Sequence, residues 1–320
     1  MEKVLILKKN DNDFEKFYSK RMERLGIDVY PAYKNVNKLE YWIREIHLKG
    51  FGRNVPGEHI WLGDWKKKIT LYDTIIIFDS LKNIGIVRAI HEIAPSSRLI
   101  FWYWNITGNK RRLPLPEWRK FCEFWSFDQG ECEVYNFRFN HQFYFQEESQ
   151  MKLNISEKLD GTFFVGADKG RLGQIIEIKK IFDKFRILNK WIIVTHESEK
   201  ATKSEYKGIE IIEKPITYTK TIEYVQKYKC IVDIVQDDQV GITVRTLEAL
   251  FFEKKLITNN VSIKNMPFYN SQNIFVIGED SWDDFEKFWR APVSVNKQFL
   301  KMYTYEDWIE QFGISGTEKV

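Results

Sequence analysis

The feature that most constrains this chain is a repeated alternation of short apolar runs with longer segments of helical period. The clearest run is Thr74-Ile75-Ile76-Ile77-Phe78, almost wholly β-branched. A strand without a polar face must be covered on both sides, which is the condition of a parallel strand between two layers of helices. Similar runs lie at residues 4–7, 27–30, 99–102 and 124–127, and again at 162–165, 191–195, 209–212, 230–235, 255–258 and 274–277. Helical periods separate them at 13–25, 39–48, 83–93, around 116–121, 172–185, 219–227 and 241–252. Phe14, Phe17, Met22 and Leu25 share one face of the first of these. The order strand, helix, strand specifies βαβ units.

At 320 residues the chain suits two domains, each able to bury its own core. The alternation lapses in an aromatic segment, 135–145, and a charged stretch, 146–158, and then restarts. This predicts an α/β protein of two Rossmann-like domains facing across a cleft, spanning residues 1–150 and 151–285. Amphipathic helices in 286–320 are expected to pack back toward the first domain.

The net charge of +4 is a small difference between 49 basic and 45 acidic residues that are interspersed. A nucleic-acid binder concentrates its charge, so no nucleic-acid partner is expected. The one basic cluster, Lys110, Arg111 and Arg112, reads as a loop, either solvated or facing an anionic acceptor or lipid. Three cysteines, Cys122, Cys132 and Cys230, make neither a CxxC pair nor an even framework and suit a reducing cytoplasm. No stretch reaches the roughly 18 apolar residues of a membrane helix, so peripheral association with a membrane is the expected limit.

Two strand ends carry chemistry. After Val165 comes Gly166-Ala167-Asp168-Lys169-Gly170-Arg171, with a third glycine at Gly173. The spacing G-x-x-x-G-x-x-G is not the dinucleotide fingerprint. A strand, a glycine-containing turn and a helix N-terminus nonetheless present N–H groups to an anion, and Lys169 and Arg171 add charge suited to a diphosphate. The second strand end is Asp233-Ile234-Val235-Gln236-Asp237-Asp238-Gln239, running into Val240-Gly241-Ile242-Thr243-Val244-Arg245-Thr246-Leu247-Glu248-Ala249-Leu250. Gly241, Ile242 and Thr243 are expected in the first helical turn, where amides and a hydroxyl suit phosphate, or where Thr243 simply caps. Glu248 lies deeper, placed to accept both hydroxyls of a ribose diol. Lys255-Leu256-Ile257-Thr258 then reads as a strand, with Asn259 and Asn260 at its carboxyl end.

From Gly161 to Asn260 the chain resembles the donor-binding domain of GT-B glycosyltransferases, and as a whole it resembles those of bacterial capsule and lipopolysaccharide synthesis. Glu248-Ala249-Leu250 followed by Lys255-Leu256-Ile257-Thr258 carries the likeness. The resemblance implies a nucleotide-sugar donor and a glycan or lipid-linked acceptor. It implies that Glu248 binds the ribose, that Gly241, Ile242 and Thr243 lie by the diphosphate, and that Lys169 or Arg171 neutralises it. The loop holding Pro215 and Ile216 matches the place of the base. Gly166 and Arg245 complete the expected donor site. Retaining members carry an earlier glutamate where this chain has Val240, flanked by Gln239, which is expected to contact the sugar instead.

An inverting transfer needs a base near the acceptor hydroxyl, and strand ends of the first half offer Asp79 and Asp128, each also a natural turn or capping residue. The five histidines, His47, His59, His91, His141 and His196, show no metal-ligand spacing. The one DxD triplet, Asp11-Asn12-Asp13, sits in the wrong half for a donor metal, with Asp13 as a helix cap, so no cofactor or metal is expected. The alternatives are an alditol-phosphate transferase of similar fold, which would draw on His196, and a non-catalytic two-domain binding protein.

Overall fold

The computed structural model describes residues 1–9, 13–79, 84–108, 112–145, 157–195, 208–237 and 239–318. Asp11, Asn12, Ser80, Asn83, Lys110, Arg111, His196, Asp238 and the stretch 146–156 lie outside them, as do the side chains of 13–17, including Phe14 and Phe17. The chain divides into two compact units, residues 1–141 with 309–320 and residues 142–308. Each unit has its own six-stranded sheet.

In the first unit the strands are β1 (Val4–Lys8), β2 (Asp28–Pro31), β3 (Thr74–Phe78), β4 (Arg98–Tyr103), β5 (Cys122–Ser126) and β6 (Arg138–Phe139). The order is β2-β1-β3-β4-β5-β6, and every pairing is parallel. The helices are α1 (Asp13–Arg24), α2 (Lys38–Gly50), α3 (Ile86–Ile93) and α4 (Gln129–Tyr135). All five residues of β1 and of β3 are buried, as their missing polar face demands. Burying each such Leu or Ile contributes about 1.5–3 kcal/mol.

Two elements depart from the sequence reading. The strand expected at 124–127 ends at Ser126, because Asp128 is the N-cap of α4 and accepts from the Glu131 amide at 3.0 Å. Residues 58–61 and 64–71 form 3₁₀ turns that bury Trp61, Trp65 and Ile69. Their period of about three leaves no helical stripe to read. The C-terminal tail is built into this unit. Phe312 packs edge-on against Trp102 and Trp125, and its carbonyl accepts from Arg98 at 2.6 Å. Gly26, at φ 78°, lies so near the tail that a Cβ would meet the Thr317 carbonyl oxygen at 2.8 Å.

The second unit contains β7 (Leu159–Ala167), β8 (Leu188–Val194), β9 (Ile209–Ile212), β10 (Tyr228–Asp233), β11 (Lys255–Thr258) and β12 (Ile274–Val276). Its helices include α5 (Leu172–Lys184), α6 (Tyr218–Lys227), α7 (Val244–Phe251) and α8 (Phe285–Arg290). The order β12-β11-β10-β7-β8-β9 is again parallel throughout. The chain moves outward from β7 to β9, then crosses back to place β10 on the other side of β7. That reversal is the doubly wound switch point, where the strand ends open a crevice for ligands. Residues 286–308 belong to this unit, and the chain from Ile309 on belongs to the first. Phe288 explains part of this, since it packs with Phe275 and Phe285 in the core of the second unit.

Candidate functional site

The turns after β7 and β10 meet at the switch point. After β7, the Arg171 amide donates to the Asp168 carbonyl at 2.9 Å, closing a turn whose central residues, Lys169 and Gly170, have φ of 47° and 81°. Two positive φ values are the mark of a type I′ turn and explain Gly170. Asp168 caps α5 by accepting from the Leu172 amide at 3.1 Å. Lys169 is exposed. Arg171 has a second task beside its charge: it donates to the carbonyls of Ala167 at 2.7 Å and Asp168 at 3.4 Å, and to that of Ile234 beyond β10. It therefore staples the two strand ends together, and burial lowers its pKa against the pull of Asp233 and Asp168. Gly166 lies beside it, where a Cβ would stand 3.6 Å from the guanidinium.

After β10 the chain does not enter its helix at Gly241. The helix α7 starts at Val244, so Gly241 and Ile242 lie in the preceding turn and Thr243 is the N-cap. The Thr243 hydroxyl accepts from the amides of Arg245 at 3.0 Å and Thr246 at 3.3 Å, and donates to Asp233 at 2.6 Å. Thr246 donates to the same Asp233 oxygen at 3.0 Å. Asp233 ends β10 fully enclosed, and burial raises its pKa despite both hydroxyls. The loop is held from β11: Asn259 accepts from the Val235 amide at 2.7 Å, and Asn260 donates to the carbonyls of Val240 at 3.2 Å and Gly241 at 3.3 Å. Gln239, expected to reach the sugar, donates to the Gly241 carbonyl at 3.2 Å and braces the same turn.

Glu248 is entirely buried. One carboxylate oxygen accepts from the Tyr218 hydroxyl at 2.8 Å, and the other pairs with Arg245 one turn earlier. The Tyr144 hydroxyl stands 2.9 Å from that of Tyr218, extending the network. Burial pushes the Glu248 carboxyl up to about 7, Arg245 and Tyr218 offsetting only part of the desolvation. These partners use two of the about four lone pairs of an ionised carboxylate, and the side chain has no exposed surface in this structure. Pro215 and Ile216 lie between β9 and α6, after the carboxyl end of the edge strand β9, next to Thr217, which caps α6, and Tyr218.

In the first unit, Asp79 follows β3 and is buried. It accepts from the amides of Trp104 at 2.9 Å and Asn105 at 3.3 Å and pairs with Arg112. Burial raises its pKa to about 6, with Arg112 as the main opposing influence. Asp128 is buried as the cap of α4. Both expected bases are thus engaged in holding loops. Glu131, which sequence reading passed over, is half-buried nearby and accepts from the Thr107 hydroxyl at 2.6 Å. Among the described residues, no three His, Cys, Asp or Glu side chains gather closely enough to hold a metal ion.

No protein-family model matches the sequence, and no curated protein matches it significantly. Solved structures do. An α-glucosyltransferase in complex with UDP-glucose and DNA containing an abasic site aligns with a TM-score of 0.63 at 12% identity over 98% of both chains. Anabaena HepE in complex with UDP and glucose aligns at 0.61 and 10% identity over 98% of both. Sucrose-phosphate synthase from Thermosynechococcus elongatus gives 0.59 and 9% identity, again over 98% of both. The fold is GT-B.

Within this GT-B chain, both turns are legible in the sequence, and the groups that organise them only in part. Asp233 was visible as the one acidic residue within the apolar run 230–235, and the structure ends β10 at it. Asn259 and Asn260 were visible as polar residues directly after β11. Tyr218 and Tyr144 carried no signal, because their meeting with Glu248 joins residues distant in sequence.

Proposed function

We propose that this chain is a glycosyltransferase whose second unit holds a nucleotide-sugar donor and which passes the sugar to a glycan or lipid-linked acceptor. The observation that carries the reading is the convergence, at the switch point of the second sheet, of the β7 turn with Lys169 and Arg171 and the β10 turn with Gly241, Ile242 and Thr243. In this reading Lys169, Arg171 and the α7 N-terminus stabilise the departing diphosphate without a metal. Glu248 takes the ribose hydroxyls with its remaining lone pairs, held in place by Tyr218 and Arg245. Pro215 and Ile216 flank the base, and Gln239 shapes the turn nearest the sugar. No proton is routed through Asp79 or Asp128, whose carboxylates are committed to Arg112, backbone amides and the α4 cap. The three cysteines are free thiols, which supports a cytoplasmic setting and fits assembly of capsule or lipopolysaccharide before export.

The test is a thermal-shift screen against nucleoside diphosphates, followed by donor turnover with the matching nucleotide sugars. A ligand at about a hundred times its dissociation constant stabilises the protein by about 2.7 kcal/mol. Stabilisation by one diphosphate, and transfer from its sugar conjugate to a lipid-linked saccharide, is the expected result. No response to any nucleoside diphosphate refutes the reading, and transfer to a DNA duplex instead refutes the acceptor class.

A further inference from the structure

We infer that the outward face of α2 is a docking surface for an anionic lipid bilayer. The helix is fixed at its start by a reciprocal cap: the Glu40 amide donates to the Asn37 side chain at 2.9 Å, and the Asn37 amide donates to Glu40 at 3.4 Å. Its inner face is anchored by Leu48 and by Arg44, which is 3% exposed, donates to the Lys34 carbonyl at 2.9 Å and lies over the rings of Tyr33 and Tyr41. A surface helix anchored this way should be polar on its other side. This one is not. Leu39 is 70% exposed, Trp42 56%, Ile43 49% and Ile46 70%. The spacing i, i+3, i+4, i+7 makes them one continuous stripe.

Charge decides what the stripe fits. At about 100° per residue, Lys38 and Lys49 fall on the margin beside Trp42. Lys34 precedes the helix and Arg53 follows it. Of the acidic residues of α2, Glu40 is engaged in the cap, and Glu45 lies on the same margin and pairs with Lys49 at 3.4 Å, so the excess positive charge there rests on Lys38 with Lys34 and Arg53. An apolar stripe with tryptophan and a basic rim is the pattern of a helix lying in a membrane interface, its apolar side chains among acyl chains and its cations among anionic headgroups. A second copy of this chain fits less well, because a twofold contact through the stripe sets the two basic rims against each other. The surface belongs to the first unit alone and does not depend on the transferase reading.

The experiment is flotation of the full chain with phosphatidylcholine vesicles, with and without phosphatidylglycerol, at low and high salt. Binding is expected to the anionic vesicles, to fall with salt, and to be weak on phosphatidylcholine alone. Trp42→Ser with Ile46→Ser, both exposed and therefore expected to leave the thermal melt unchanged, should lower the partition coefficient by about tenfold or more. Lys38→Glu with Lys49→Glu should do the same on anionic vesicles only. Absence of binding to the anionic vesicles overturns the inference, as does binding that neither pair of substitutions weakens. Sedimentation without lipid completes the test: a dimer dissolved by the Trp42 and Ile46 substitutions would assign the face to a second copy instead.

Discussion

Replacing Glu248 by glutamine separates what the carboxylate costs the fold from what it gives the ligand. The side chain is fully buried, and its carboxyl rises from 4.5 to about 7 because desolvation outweighs Arg245 and Tyr218. Ionising it in the folded protein therefore costs about 3 kcal/mol more than ionising it in the unfolded chain. Because the folded pKa is the higher one, this contribution to stability is complete below about pH 4.5, is lost as pH rises toward 7, and changes little above that. Glu248→Gln keeps an acceptor for the Tyr218 hydroxyl and carries no charge. The wild type should thus lose about 3 kcal/mol between pH 4.5 and 8 that the variant does not lose, measured as the difference between their urea unfolding free energies at each pH. Asp79 titrates in both proteins, so its effect cancels in that difference, whereas the charge of Asp233 is part of what raises Glu248. Ligand binding should move the opposite way. At pH 8 the variant should bind its nucleoside diphosphate about tenfold more weakly, roughly 1.4 kcal/mol, while the 2′-deoxy analogue binds both proteins equally. Parallel stability curves would refute the electrostatic reasoning. Equal losses for ribo and deoxy ligands would remove Glu248 from the ribose.

Three further outcomes are expected. Lys169→Ala, at an exposed turn position, should weaken diphosphate binding relative to the nucleoside and leave the melting temperature unchanged, whereas Arg171→Ala should lower both affinity and stability, by about 2–4 kcal/mol for three lost carbonyl contacts; calorimetry and titration on both variants check this. Asp79→Ala leaves Arg112 and two amides without their acceptor, so the first unit should lose about 3–5 kcal/mol in unfolding experiments. Turnover per folded molecule should fall by less than tenfold, and a loss of several orders of magnitude would restore Asp79 as the base. Gly26→Ala combines a φ of 78° with a Cβ 2.8 Å from the Thr317 oxygen. It should cost more than about 1 kcal/mol, and an unchanged melting temperature would show that the tail does not pack there.

The architecture was legible because its signal is local. A run such as Ile75-Ile76-Ile77 has no side to offer water, so its place in a covered parallel sheet follows from the residues themselves. The same holds for the turns after β7 and β10, which announce themselves as glycine or polar residues directly after an apolar strand. Boundaries were less legible where a side-chain oxygen decided them: the α7 start moved from Gly241 to Val244 because Thr243 turns its hydroxyl onto two amides and Asp233. The short 3₁₀ turns around Trp61 and Trp65 escaped because their period matches neither template.

What the chain determined alone is therefore the class of its two sheets, their parallel sense, and the positions of Lys169, Gly241 and Glu248 relative to strand ends. The tertiary structure decided what those residues are free to do. Arg171 reads as a phosphate cation alone until Ile234 appears beside it, 63 positions away, and makes it a clasp between two strands as well. Asp79 reads as an open strand-end carboxylate until Arg112 and the turn after β4 close over it. Glu248 acquires its raised pKa from Tyr218 and Arg245 being too few to replace the water that packing removes. Partners of this kind meet only through long-range packing, and the energy of a polar group depends on who its neighbours are and how much water is left.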